Sequence, residues 1–283
     1  MEKMSKNDAH ILLLYMLKSL NYICEKSNIP YYACAGTCLG AIRHGGFIPW
    51  DDDIDVKIPR KYYDIFVEKC NELLEYPLVI RTRENDPTFC CEYIKICFKD
   101  DCYGYSDVAL DVFFFDETNP NRKVFRSVQN RILRDLYFVK KYKLSKAKMA
   151  EHYVPNNPIK RIYVFLLSVF WSFNAIEKYH KKIMLAEKKE CDYWVNWGSC
   201  YSYKKVTYLK ELFGKPQKAP FENTYIYLPE FPEKMLTQLY GADFMTPPPP
   251  EKRVDHGVKK LNCKELDFEK VKNIVLSMSY KEV

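Results

Sequence analysis

Four aspartates fall within five residues at Asp51-Asp52-Asp53-Ile54-Asp55. Side chains alternate faces along a strand, so Asp51, Asp53 and Asp55 point one way while Ile54, Val56 and Ile58 point the other. Carboxylates a few ångströms apart raise one another's pKa unless a cation stands between them. A hard divalent ion with oxygen ligands, Mg2+ or Mn2+, removes that cost and supplies a Lewis acid. Other fates compete. An acidic run is commonly a solvated loop, but Ile48, Trp50, Ile54 and Val56 frame this one with apolar side chains. A calcium loop opens with Asp-x-Asp-x-Asp and then needs a glycine and a closing glutamate, where this chain has Val56 and Tyr62. Helix caps use aspartate, but one suffices.

A third carboxylate would complete a two-metal clamp. Asp111 stands inside Leu110-Asp111-Val112-Phe113-Phe114-Phe115, a run that reads as a buried strand. A charge there is costly unless it is paired or coordinated. The competing role is partner to a core arginine. Asp107 shares its strand parity and Asp116 lies at the strand end, and both are weaker candidates. Gly36-Thr37 ends a strand and opens a helix, where free backbone N–H groups favour phosphate. Arg43 and His44 follow on the same helix within reach of a phosphate. A phosphate-holding turn, an Asp-x-Asp strand and a later Asp on another strand form the layout of nucleotidyltransferases.

Gly36-Thr37-Cys38-Leu39-Gly40-Ala41-Ile42-Arg43-His44, followed by Gly46-Phe47-Ile48-Pro49-Trp50-Asp51-Asp52-Asp53-Ile54-Asp55, resembles the signature of the LicD family, whose relatives include the fukutin group. Leu110-Asp111-Val112-Phe113-Phe114-Phe115-Asp116 is similar to the family's second block, usually Ile-Asp-Ile-Phe-Pro-Leu-Asp, with Phe in place of Pro. Phe221-Glu222, Tyr227-Leu228-Pro229, Leu239-Tyr240-Gly241-Ala242-Asp243-Phe244 and Pro248 to Arg253, then His256, resemble its closing block. The matches fall in order along most of the chain.

The resemblance implies a nucleotidyltransferase-like α/β (α+β) fold, a mixed β-sheet flanked by helices with a helical insertion. It also implies transfer of a phospho-alcohol, phosphocholine first, from a CDP-linked donor such as CDP-choline to a glycan or lipid-linked glycan of the cell surface, as in lipopolysaccharide, teichoic acid or capsule. On these residues, Asp53 and Asp55 would bind the metals, with Asp111 as third carboxylate and acceptor of the attacking hydroxyl's proton. Gly36, Thr37, Arg43 and His44 would hold the donor's phosphates. Lys95, Arg253 and His256 are further phosphate contacts by motif position, against a solvated role for Lys95. A quaternary ammonium calls for an aromatic pocket, with Trp50, Trp194 and Trp197 as candidates. No Gly-x-Ser-x-Gly elbow or P-loop competes with this chemistry.

The elements that must position these groups follow from periodicity. Helices are expected over 7–27, 37–44, 62–74, 122–142, 159–189 and 233–240, and strands over 31–35, 53–58, 78–82, 93–98, 109–115 and 225–227. One catalytic domain over 1–283 results, with a core at 1–121, a helical insertion at about 122–190 and a C-terminal part at about 191–283 that returns to the active site.

Across 283 residues the net charge is +7, which suits an anionic ligand or a membrane surface and is too small to argue for nucleic acid. Eleven cysteines, an odd number set in apolar runs without repeated CxxC, read as reduced thiols of a cytoplasmic protein. No leader segment is signalled, and the apolar run from 162 to 176 is shorter than a bilayer span. That run either packs on the core or lies at the inner membrane face near lipid-linked glycans. Two other readings remain: a nucleotidyltransferase acting on a nucleoside triphosphate, and a non-enzymatic module binding glycan or membrane surface.

Overall fold

A computed structural model describes residues 4–147, 155, 157–253, 257 and 261–278. Ser5, rather than Asn7 or Asp8, starts the first helix, α1 (Lys6–Lys26), because its hydroxyl accepts the Asp8 amide. The apolar stripe of α1, Leu12, Leu13, Met16, Leu17 and Leu20, is buried completely. The chain continues through β1 (Tyr32–Ala33), α2 (Ala35–His44), β2 (Ile54–Pro59), α3 (Tyr63–Leu73), β3 (Leu78–Arg81), β4 (Ile94–Asp100) and β5 (Gly104–Thr118). Next come α4 (Lys123–Lys146), α5 (Pro158–Phe170), α6 (Phe173–Met184), β6 (Tyr193–Val195), α7 (Tyr203–Val206) and β7 (Thr207–Leu209). The end of the chain forms β8 (Gln217–Phe221), β9 (Thr224–Leu228), α8 (Pro232–Tyr240) and α9 (Phe268–Ser277).

The fold is α/β, a curled mixed sheet flanked by helices, as expected. The sheet runs in the order β1-β2-β5-β4-β3, with β6 on β5 and β7 on β6. The described residues separate into two units. The first takes 1–81, 93–114 and 211–283, and the second takes 82–92 and 115–210, so the division falls inside β5.

In the first unit, β3 pairs antiparallel with β4 and β4 with β5, setting Lys95 opposite Asp111. Helix α1 packs against α9 and β9. Asn21 Nδ2 donates to the Tyr225 carbonyl at 3.0 Å, and the Tyr225 and Tyr227 hydroxyls each donate to Glu25 Oε1 at 2.8 Å. Helix α9 is an addition to the expected elements: Asp267 caps it by accepting the Lys270 amide, and Val271 and Val275 supply its buried side.

In the second unit, the helix expected over 159–189 is two helices bent by 92° at Trp171-Ser172. Ser172 caps α6 by accepting the Ala175 amide, so a new helix begins where the old one would have continued. Leu136, Val139, Val164 and Ile176 form the unit's apolar core. Beside it Lys140 is fully buried, with Nζ 2.5 Å from Glu92 Oε1 and 2.7 Å from Glu177 Oε1. His180 Nδ1 also meets Glu92 Oε1. Burial alone would push the Glu92 carboxyl up, but the His180 hydrogen bond and the Lys140 charge outweigh it and hold its pKa down at about 2.

A carboxylate depressed in the folded state stabilises fully above its unfolded value and loses that contribution as pH falls through its folded one. The Glu92 contribution is therefore complete above about pH 4.5 and disappears toward pH 2. Glu92→Gln leaves Lys140 with Glu177 alone, and urea denaturation at pH 7 is expected to show a loss of about 3 kcal/mol. The variant should also lose the part of the wild-type acid sensitivity that lies between pH 4.5 and 2.

Candidate active site

Ile54, Val56 and Ile58 are completely buried, which turns the alternate residues of β2 away from the core. The strand begins at Ile54, so Asp53 stands just before it and Asp55 within it. Thr37, in the first turn of α2, accepts the Asp55 amide on Oγ1 at 2.8 Å and ties that helix to β2. Helix α2 starts at Ala35, two residues earlier than expected, which places Gly36 and Thr37 among its first N–H groups. Ala35 has a left-handed φ of +46°, a conformation non-glycine residues adopt at a cost.

Strand β5 neighbours β2, and β4 follows β5. Asp111 is buried, and its cross-strand partner Lys95 places Nζ 2.8 Å from Asp111 Oδ1. Tyr93, two residues before Lys95 and so on the same strand face, adds a hydrogen bond to the Asp111 carboxyl. Burial raises the Asp111 pKa, and Lys95 opposes the rise.

The three carboxylates act on one another. Burial, then the charges of Asp51 and Asp111, push Asp53 up to about 7, and Lys95 counters only in part. Burial, then Asp53 and Asp111, push Asp55 well above the carboxylate range. Lys95 thus faces three acids, Asp111 buried and Asp53 and Asp55 half-buried, with Asp51 adding to the excess of negative charge. Among the described residues, no three His, Cys, Asp or Glu side chains are already arranged as a ligand set around one point. The donor set itself, oxygen-only, anionic and short of positive charge, fits a hard divalent cation.

The loop that carries the acids is fastened from several sides. Lys6 Nζ donates to the Trp50 carbonyl at 3.1 Å, and His10 donates from Nε2 to the Asp51 carbonyl at 2.9 Å while stacking on Phe47. Glu222, in the turn between β8 and β9, donates its amide to the Gly45 carbonyl at 2.7 Å. Its carboxylate accepts the Phe47 amide at 2.9 Å. Glu222 has a left-handed φ of +50°. A Cβ on Gly46 would lie 2.0 Å from Glu222 Oε1, and one on Gly40 would lie 2.4 Å from the Gly46 carbonyl oxygen, so both positions need glycine. A Cβ on Gly36 would sit 2.5 Å from Asp51 Oδ2, which keeps the start of α2 close to the acids. Asp52, buried, accepts the Gly257 amide on Oδ2 at 2.8 Å.

The residues singled out from sequence therefore separate. Asp53, Asp55, Asp111 and Lys95 come together, and Lys95 is an ion-pair partner rather than a solvated side chain. The partner of Asp111 is this lysine, not a core arginine. Gly36 and Thr37 adjoin the acids. Arg43 donates from Nη1 to the Phe244 carbonyl at 3.1 Å and from Nε to His44 Nε2 at 3.0 Å. As that acceptor, with burial and the Arg43 charge both lowering its pKa, His44 is held neutral. Arg253 stacks its guanidinium 4.2 Å from the Trp50 ring centroid. His256 lies outside the described residues. Asp107 is exposed, and Asp116 belongs to the second unit. Trp194 and Trp197 also belong to that unit, where they stack on Phe115 and Tyr203, and Trp50 adjoins the acids in the first. Lys6, His10, Asp52, Tyr93 and Glu222 had been given no role from sequence. Of these, Asp52 and Glu222 carried a signal, their places in the first motif and in the closing block.

Residues 28–123 match the model of the LicD/FKTN/FKRP nucleotidyltransferase domain. The lipopolysaccharide cholinephosphotransferase LicD of Haemophilus influenzae is 29% identical to the chain over 271 residues, covering 92% of this chain and 98% of that protein. The chain is thus similar to the LicD family, through this domain and along most of its length. An uncharacterised protein of Rickettsia prowazekii is 29% identical over 156 residues, which cover 52% of this chain and 51% of its own length. The solution structure of the antibiotic-resistance factor ANT(2'')-Ia aligns at 14% identity with a TM-score of 0.23, over 59% of this chain and 88% of its own.

Glu222→Ala removes the acceptor of the Phe47 amide and should destabilise the protein by about 1–3 kcal/mol in chemical denaturation. Glu222→Gln keeps an oxygen at that place and is expected to recover most of the loss. Gly46→Ala should be at least as damaging as Glu222→Ala, because its methyl group meets the carboxylate directly.

Proposed function

We propose that the chain is a cholinephosphotransferase, moving phosphocholine from CDP-choline, or a related phospho-alcohol from its CDP carrier, to a hydroxyl of lipopolysaccharide or a similar lipid-linked glycan. The observation that carries this reading is the set of half-buried Asp53 and Asp55 and buried Asp111: loss of water raises all three pKa values, repulsion adds to those of Asp53 and Asp55, and Lys95 offsets too little. The family is one of metal-dependent transferases. We assign Mg2+ to the three carboxylates, with Mn2+ as its nearest substitute. When bound, the cation supplies Lewis-acid polarisation and neutralises the phosphate charge that departs with CMP.

The remaining steps belong to the chain's own residues. The first amides of α2, at Gly36 and Thr37, offer donors to the donor's phosphates, as helix starts do. Arg43 and Arg253 add positive charge, and His44 adds a neutral ring N–H. His256 joins them on motif position alone. The acceptor's hydroxyl oxygen attacks the phosphorus that bears choline, and its proton passes to Asp111. The bond from that phosphorus to CMP breaks, and CMP leaves with the electron pair. A desolvated carboxyl is the stronger base, and Lys95 holds Asp111 in place without cancelling the rise. All eleven cysteines are free thiols, in keeping with a reducing, cytoplasmic setting.

A donor panel tests the reading. CDP-choline, CDP-ribitol, CDP-glycerol and a nucleoside triphosphate are incubated with acceptor glycan in Mg2+ or EDTA. CMP release from CDP-choline, abolished by EDTA, is expected; label transferred only from the triphosphate would make the chain a nucleotidyltransferase proper. Asp53→Asn, Asp55→Asn and Asp111→Asn should each lower turnover by at least about a thousandfold, and retained activity would overturn the site assignment. Raised carboxylate pKa values stabilise fully below the unfolded value and cost stability as pH climbs through the folded one. For Asp53 that window runs from 3.8 to about 7. At pH 8 in EDTA, Asp55→Asn is therefore expected to melt higher than the wild type, and to lose the rise in Tm that Mg2+ gives the wild type.

A further inference from the structure

Helix α5 turns its apolar residues outward. Ile159, Ile162, Leu166, Val169 and Phe170 recur at helical spacing along one side, Phe165 lies beside them, and all six are between 51% and 82% exposed. The only buried residue of α5 is Val164, which joins Leu136 and Val139 of α4. Of the two readings the sequence left open, packing on the core holds for one edge of α5, while its larger apolar side is left outward. An amphipathic helix in a globular protein turns its apolar stripe inward, and an apolar patch of this size left outward marks a contact.

Length and geometry restrict what the contact is. Thirteen residues of helix span roughly 20 Å, short of the ~30 Å of a bilayer's hydrocarbon core. The 92° bend then leads into α6, which buries Ile176, His180 and Ile183 and exposes Lys178, Lys181 and Lys182. A helix that keeps lysines this close to its apolar partner lies along a membrane surface and does not cross it.

Charge selects the surface. Lys160 and Arg161 stand at the start of α5. Between the beginning of α4 and the end of α6, Arg122, Arg126, Lys178, Lys181, Lys182 and Lys188 line a cavity of about 660 Å³ that contains one carboxylate, Glu187. Arg126 is buried there, and its Nε has no hydrogen-bond partner. Such a cavity suits phosphate-bearing headgroups. A second copy of this chain, itself at +7, would bring like charge to the same surface.

We propose that α5 lies in the surface of an anionic bilayer, with its apolar side among the acyl chains and the cationic cavity of α4 and α6 occupied by lipid phosphate. This inference goes beyond the transfer reaction and does not rest on which group the active site moves.

Flotation of the full chain with vesicles tests it. Binding is expected to phosphatidylcholine vesicles containing 30% phosphatidylglycerol, at least tenfold stronger than to phosphatidylcholine alone. Ile162→Ser/Val169→Ser/Phe170→Ser should lower that binding at least tenfold while leaving CMP release with a water-soluble acceptor unchanged. Lys178→Glu/Lys181→Glu/Lys182→Glu should abolish the preference for anionic lipid. As a readout independent of whether the triple serine variant folds, Phe170→Trp emission should be quenched by lipids brominated on their acyl chains. No flotation, unquenched Phe170→Trp, or a serine variant that binds like the wild type would overturn the proposal. So would dimers, seen by light scattering and removed by the serine variant, in place of vesicle binding. Loss of CMP release in the wild type with vesicle binding intact would instead count against the transferase reading.

Discussion

Three acids on adjoining strands beside a single lysine set the terms for everything around them. Each must be dry enough to act on a phosphoryl group, yet dryness and proximity both oppose ionisation. The fold holds them there by spending aliphatic burial on the opposite face of β2 and by the β4–β5 register that brings Lys95 to Asp111. A one-residue slip in that register would turn Lys95 to the other face of the sheet and leave Asp111 buried without a counter-charge. The register is therefore a chemical requirement as much as a structural one.

The loop before β2 carries the same excess of negative charge and is restrained mainly through main-chain groups. Lys6 and His10 hold carbonyls, Glu222 holds an amide and a carbonyl, and Asp52 spends its carboxylate on Gly257. Four aspartates within five residues thus have divided tasks. Asp53 and Asp55 face Asp111, Asp51 adds field at the start of α2, and Asp52 is a tether.

Much of this was legible in advance where a local rule governed it. The acid–aliphatic alternation at 53–58 obeys the two-residue period of strands, and Asp111 was conspicuous because a charge is out of place in an apolar run. The tethering roles of Asp52 and Glu222 were not legible. They arise from contacts 205 and 175 residues distant, and nothing near either residue encodes its partner. Two helix starts are locally encoded: Ser172 marks one inside an apolar stretch, and Asp267 marks another before α9. Strands β6 and β7, three residues each, are too short for periodicity to register and exist because β5 extends to pair with β6.

The tether from Asp52 to Gly257 and the brace from Glu222 also bear on how the protein is made. A ribosome emits the acidic loop when most of the chain is still to come, and for that time the loop lacks the residues that hold its backbone. Closure of the site must therefore wait for translation to deliver the far end of the polypeptide, a long-range step of the kind that slows folding. A nascent or truncated chain would display its acids without the arrangement that makes them useful, so competence arrives late and as a unit.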